Sequence, residues 1–203
     1  VQSFNWRDAS NPYVRPASLA VLRPFRIGSR PSKLALVQAA RVQAALNVSS
    51  AIIAIDASGD IEGSKEDVPL ARKGVDFTGS LDDALLDGAI DVAVHSCKDI
   101  PPQNRWREGL AIAACLPRAS VEDVLIGPYA SLDALPHGAR VGSASMRRQS
   151  QLLARRPDVQ AINIRGNVQA RLAALDAGEV DALILAKAGL DRLAESRADI
   201  HPI

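Results

Sequence analysis

The sequence predicts an α/β protein of two similar lobes with a cleft between them. Three observations lead there. Short apolar runs rich in β-branched residues alternate with helix-length amphipathic segments, which implies βαβ units and parallel strands. Small aliphatic residues carry the core and aromatics are scarce, as suits strands buried on both faces. The alternation also runs twice, on either side of a proline-containing crossover near residues 115–121. Lobe 1 is expected at 25–116 and lobe 2 at 117–203, with a hinge between them.

The elements follow in order. Phe25-Arg26-Ile27-Gly28 ends a short strand, and Ser32 caps a helix with apolar positions Leu34, Leu36, Val37, Val42 and Leu46. Residues 51–55 read as a buried strand and 60–74 as a charged, exposed loop. A helix at 81–86 stops near Gly88, and 90–94 is a second buried strand halted by Pro101-Pro102. Apolar runs at 110–116 and 123–126 lead across the crossover. The second half then gives strands at 140–142, 159–164 and 182–185 and helices at 146–154, 168–177 and 188–193. No short internal repeat is visible. Residues 1–24 form an extension without periodicity, either unstructured or the remnant of an organellar transit peptide.

Bulk properties exclude several functions. A net charge of +1 argues against a nucleic-acid-binding domain. No apolar run reaches the ~20 residues that a membrane helix requires. Cys97 and Cys115 are too few for a disulfide framework and lack metal-site spacing, so a reducing compartment is expected. Arginine, suited to bidentate recognition of carboxylate or phosphate, supplies most of the positive charge.

Ligands of parallel α/β sheets bind beyond the C-terminal strand ends, and four polar segments fall there. The first, Arg26-Ile-Gly-Ser-Arg-Pro-Ser32, offers Ser29, Arg30 and Ser32 at a helix start. The second, Val94-His-Ser-Cys-Lys-Asp-Ile-Pro101, sets Lys98 beside Asp99 after an apolar strand, a pairing suited to acid–base work. The third, Val141-Gly-Ser-Ala-Ser-Met-Arg-Arg-Gln149, joins Ser143 and Ser145 to Arg147 and Arg148. The fourth, Ile164-Arg-Gly-Asn-Val-Gln-Ala-Arg171, carries Arg165, Gly166 and Arg171. Arg192 lies on the last helix. Singly, each segment is equally a capped helix with surface charge. Together they imply a cleft for a small molecule bearing several carboxylates or phosphates.

These segments resemble the porphobilinogen deaminase (hydroxymethylbilane synthase) family. Asp91-Val-Ala-Val-His-Ser-Cys-Lys-Asp-Ile-Pro is the most telling stretch, and the match runs in order from about Arg26 to Leu193 through Arg155-Arg-Pro-Asp and Asp181-Ala-Leu-Ile-Leu-Ala-Lys-Ala-Gly-Leu. The resemblance implies a periplasmic-binding-protein-like pair of lobes, without the family's third domain or the strand returning to lobe 1. It implies a transferase that joins four porphobilinogens on a covalent dipyrromethane, releasing ammonia each time. Asp99 would be the catalytic acid, with Lys98 beside it. Arg30, Arg147, Arg148, Arg165, Arg171 and Arg192 would bind acetate and propionate side chains. Ser32, Ser96, Lys98, Ser143, Ser145 and Gly166 would line the same cleft, with no metal. The family's attachment cysteine matches neither Cys97 nor Cys115, so a chain of this length is expected to be inactive alone. The implied partner is porphobilinogen, bound by a soluble monomer in the cytoplasm or, with a transit peptide, the plastid stroma.

Two departures stand out. Arg72 and Lys73 occupy the region of the family's paired lysines, and Ala144 replaces a common hydroxyl residue. The alternative is a two-lobed solute-binding or effector-sensing module, which would have no use for a Lys98–Asp99 pair in its cleft.

Overall fold

Two separate sheets carry the chain in the computed structural model, which describes residues 23–56, 78–102 and 106–203. In the first sheet, β1 (Phe25–Ser29) lies between β2 (Ser50–Ala54) and β3 (Val92–Ala93), all parallel. Helix α1 (Lys33–Leu46) follows β1, and α2 (Gly79–Leu86) precedes β3. The second sheet takes the order β6-β5-β7-β4-β8. Its strands are β4 (Asp123–Ile126), β5 (Arg140–Gly142), β6 (Gln160–Ile162), β7 (Ala182–Ala186) and β8 (Ile200–Pro202). Its helices are α3 (Met146–Arg155), α4 (Val168–Asp176) and α5 (Lys187–Leu193). No helix among the described residues is long and apolar enough to cross a membrane. The expected extension at 1–22, the loop at 60–74 and the positions of Arg72 and Lys73 lie outside the described residues.

The expectation of parallel sheets holds in the first lobe and only in part in the second. There β5 pairs in parallel with β6 and β7, but β4 runs antiparallel to β7 and β8. Strand β4 arrives from the crossover rather than from a helix of this sheet, so no βαβ unit fixes its direction. Val124, Leu125 and Ile126 are almost fully buried, and such a run reads the same in either direction. Strand β8 escaped the sequence reading because it is short and carries His201 and Pro202; at a sheet edge, proline is tolerated. The apolar run at 110–116 forms no strand, and Ile112 and Leu116 are exposed.

The lobes share a construction that inspection of the sequence for short repeats does not reveal. Arg26-Ile-Gly-Ser29 opens the central strand of one lobe and Arg140-Val-Gly-Ser143 the corresponding strand of the other. Gly88-Ala-Ile-Asp91 and Gly178-Glu-Val-Asp181 follow their helices in matching places. In each lobe the aspartate accepts from the arginine's backbone N–H, at 2.8 Å for Arg26 and 2.7 Å for Arg140, and from its guanidinium. The arginine also donates to the helix-end carbonyls of Gly88 or of Gly178 and Glu179. Each bracket ties a strand start to a helix end.

The brackets set an acid dependence. Hydrogen bonds from Arg23, then Arg26, hold Asp91 below its usual value, and Arg140 does the same for Asp181. Arg156 lowers Asp158 to about 2. Folded values below the unfolded ones mean that this stability is present above about pH 4 and is lost as pH falls through the folded values. Urea midpoints followed by circular dichroism should therefore be level from pH 7 to 5 and drop between pH 4 and 2. An Asp91→Asn/Asp181→Asn variant should show a shallower drop, and an unchanged slope would refute the assignment.

Candidate functional site

Two serine caps and one asparagine cap build the strand-end turns. Ser32, Ser145 and Asn167 accept from the backbone N–H groups of Ala35, Arg148 and Ala170, opening α1, α3 and α4. The third of these caps is an asparagine doing the serine's work, as its short polar side chain allows. Ser143 is buried, and its Oγ accepts from Ser145 N at 3.3 Å. It holds the turn from inside. Ser29 is likewise buried and donates to its neighbour's carbonyl, Arg30 O, at 3.1 Å. Gly166 takes φ +98°, a left-handed backbone that favours glycine, and its carbonyl accepts from Arg171 Nε at 2.9 Å.

Lys98 and Asp99 lie on a 3₁₀ turn, Cys97–Asp99, just past β3. Ser96 Oγ, at the entrance to the turn, donates to Gln38 Oε1 at 3.0 Å and so ties it to α1. Arg30 Nη1 stands 3.6 Å from Asp99 Oδ2, an ion pair across neighbouring strand ends. From the second lobe, Arg148 is held by Asp123, with Nε and Nη2 at 2.8 and 2.6 Å from its two carboxylate oxygens.

The field of the second-sheet arginines reaches Lys98. The Lys98 ammonium is pushed below its usual value, first by loss of hydration and then by Arg148, Arg171 and Arg30, with Asp99 partly opposing. Arg171 is lowered too, first by burial and then by Arg148. Lys98 as a residue is nonetheless exposed. The charged end of Lys98 thus loses hydration while the residue as a whole stays open to solvent.

Arg30, Lys98, Arg148 and Arg171 bring four positive charges, and Asp99 and Asp123 return two negative ones, leaving two in excess. The expected residues are thus only partly united. Arg147 is exposed and Arg192 half-buried, and neither has an ion pair among the described residues. Arg165 is half-buried in the turn between β6 and α4. Two supporting residues were given no role from the sequence: Gln38, which only matches the family's opening pattern, and Asp123, 25 residues before the arginine it holds. Cys97 and Cys115 are exposed free thiols.

A porphobilinogen deaminase of Nitratidesulfovibrio vulgaris (strain DP4) is 48% identical over 177 residues, covering 82% of this chain and 54% of its own length. That of Caulobacter sp. (strain K31) is 43% identical over 184 residues, covering 84% and 57%. The chain therefore spans just over half the length of these curated relatives. The GluR0 ligand-binding core from Nostoc punctiforme covers 89% of this chain and 78% of its own at 12% identity and a TM-score of 0.40, a likeness too slight to bear on function. The family model for porphobilinogen deaminase, dipyromethane cofactor binding domain, matches residues 25–202, and the chain belongs to that family.

Proposed function

We propose that this chain forms the primer- and substrate-binding cleft of a porphobilinogen deaminase, which joins four porphobilinogens into hydroxymethylbilane with release of ammonia. The observation that carries this reading is the two-charge cationic excess gathered around Asp99 from both lobes. A dipyrromethane bearing acetate and propionate groups fits such a site: carboxylates would settle on Arg30, Arg148 and Arg171, with Arg147 and Arg192 within the same set. Arg165 and the cap serines Ser32 and Ser145 would complete it. When bound, that group supplies the pyrrole end to which each new unit is joined.

The chain's own residues divide the work. The arginines hold carboxylates by charge-assisted hydrogen bonds, each worth roughly 1.5–3 kcal/mol. Asp99, steadied by Arg30, presents a carboxylate to the cationic pyrrole nitrogen and assists the departure of ammonia. Lys98 adds positive charge at the same wall. The free thiols accord with a reducing compartment such as the cytoplasm.

Calorimetric titration with porphobilinogen tests the reading. The wild-type chain should bind it, and Arg171→Leu should weaken binding by about tenfold or more, given the 1.4 kcal/mol that each factor of ten represents. No heat of binding at millimolar porphobilinogen would overturn the proposal.

A further inference from the structure

The geometry points to Asp123 as a positioning residue for carboxylate recognition, acting through Arg148; this rests on the cleft reading above. Asp123 opens β4, and its backbone is fastened on both sides. It stands opposite Ala186 in β7, and its carbonyl accepts from Ile203 N at 3.3 Å. The preceding carbonyl, Glu122 O, accepts from Lys187 N at 3.0 Å. The carboxylate is therefore presented from a fixed strand rather than from a loop.

Arg148 is fixed as firmly from the other side. It sits in the first turn of α3, where its N–H meets the Ser145 cap and Gln149 Nε2 donates to Ser143 O. Asp123 takes the Nε and Nη2 edge of the guanidinium, and the side chain is 12% exposed. A planar fork held along one edge has its remaining donors aimed in a set direction. Those donors belong to a group close enough to Lys98 and Arg171 to lower both. Asp123 also offsets one of the charges that this crowding brings together.

The sign of one measurement separates this role from simple competition. If Asp123 merely occupied Arg148, neutralising it would free the arginine and add positive charge, tightening anion binding. As a positioning residue, its loss leaves Arg148 mobile and anions bind more weakly, despite the gain in charge. Citrate and porphobilinogen should be titrated into the wild-type chain, Asp123→Asn, Asp123→Glu, Arg148→Lys and the Asp123→Asn/Arg148→Lys double variant, with folding checked by circular dichroism.

Asp123→Asn should weaken both probes by about tenfold, a change of about 1.4 kcal/mol. The double variant should bind no more weakly than Arg148→Lys alone, because both changes remove one device. If Asp123→Asn does not fold, Asp123→Glu, which keeps the charge but shifts it by one methylene, should still lose about threefold. Unchanged or tighter binding in the folded variants, or additive losses in the double variant, would overturn the inference. Wild-type binding of citrate without porphobilinogen would overturn the proposed substrate while leaving Asp123 to be judged on citrate. Binding of neither probe would overturn both.

Discussion

Asp99→Asn is expected to cut porphobilinogen turnover by ~10²-fold or more with little change in folding. The assay requires a fusion completing the chain to its relatives' length, since residues 1–203 cover little more than half of it. Asparagine keeps the size and one hydrogen-bonding oxygen of the aspartate. Asp99 is half-buried on a short 3₁₀ turn, outside both apolar clusters, and its ion pair with Arg30 is a loose 3.6 Å contact. The loss should therefore fall on kcat, where the carboxylate meets developing charge, and only slightly on KM. Near-normal turnover, or a matching fall in melting temperature, would remove Asp99 from the chemistry.

The largest effect on stability is expected at the centre of the second sheet. Leu183 is fully buried in β7, between Ile126 of β4 and Gly142 of β5. A Cβ added at Gly142 would lie 2.7 Å from Leu183 Cδ2 and 3.0 Å from Ile164 Cγ2. The glycine thus leaves room that the leucine fills. Leu183→Ala should cost about 2–5 kcal/mol, and Gly142→Ala about 1–3 kcal/mol from overpacking. Combined, the two should cost clearly less than their sum, because the shortened side chain vacates the space the new methyl needs. Strict additivity in urea denaturation would show that the two residues do not share this space.

Much of this was legible because local chemistry and tertiary outcome agree. The apolar run after Ser32 marks it as a cap, and the 140–142 strand is bounded by its own turn residues. What eluded the sequence was long-range. The direction of β4 depends on which sheet it enters, not on Val124, Leu125 or Ile126 themselves. The burial of Ser143, and its bond to Ser145 N, also depend on how the turn folds. Asp123 gave no hint because ion pairing across 25 residues leaves no periodic trace. The meeting of Lys98 with Arg148 and Arg171 required two lobes to be brought together, which a pass along the chain indicates only through resemblance.

The two arginine–aspartate brackets also bear on where this architecture tolerates change. Each closes a loop of chain: Arg26 to Asp91 spans 65 positions and Arg140 to Asp181 spans 41. Most of the difference lies between β2 and α2, where 24 residues stand against five between β6 and α4. Loop-closure entropy grows only with the logarithm of length, so the longer circuit costs about 0.4 kcal/mol more than the shorter one. The first lobe can thus carry a long insert at almost no thermodynamic penalty, provided its bracket still clamps the two ends. Variation in length and sequence is cheap in that stretch, whereas the five-residue turn of the second lobe, bearing Arg165 and Gly166, has little slack in which to drift.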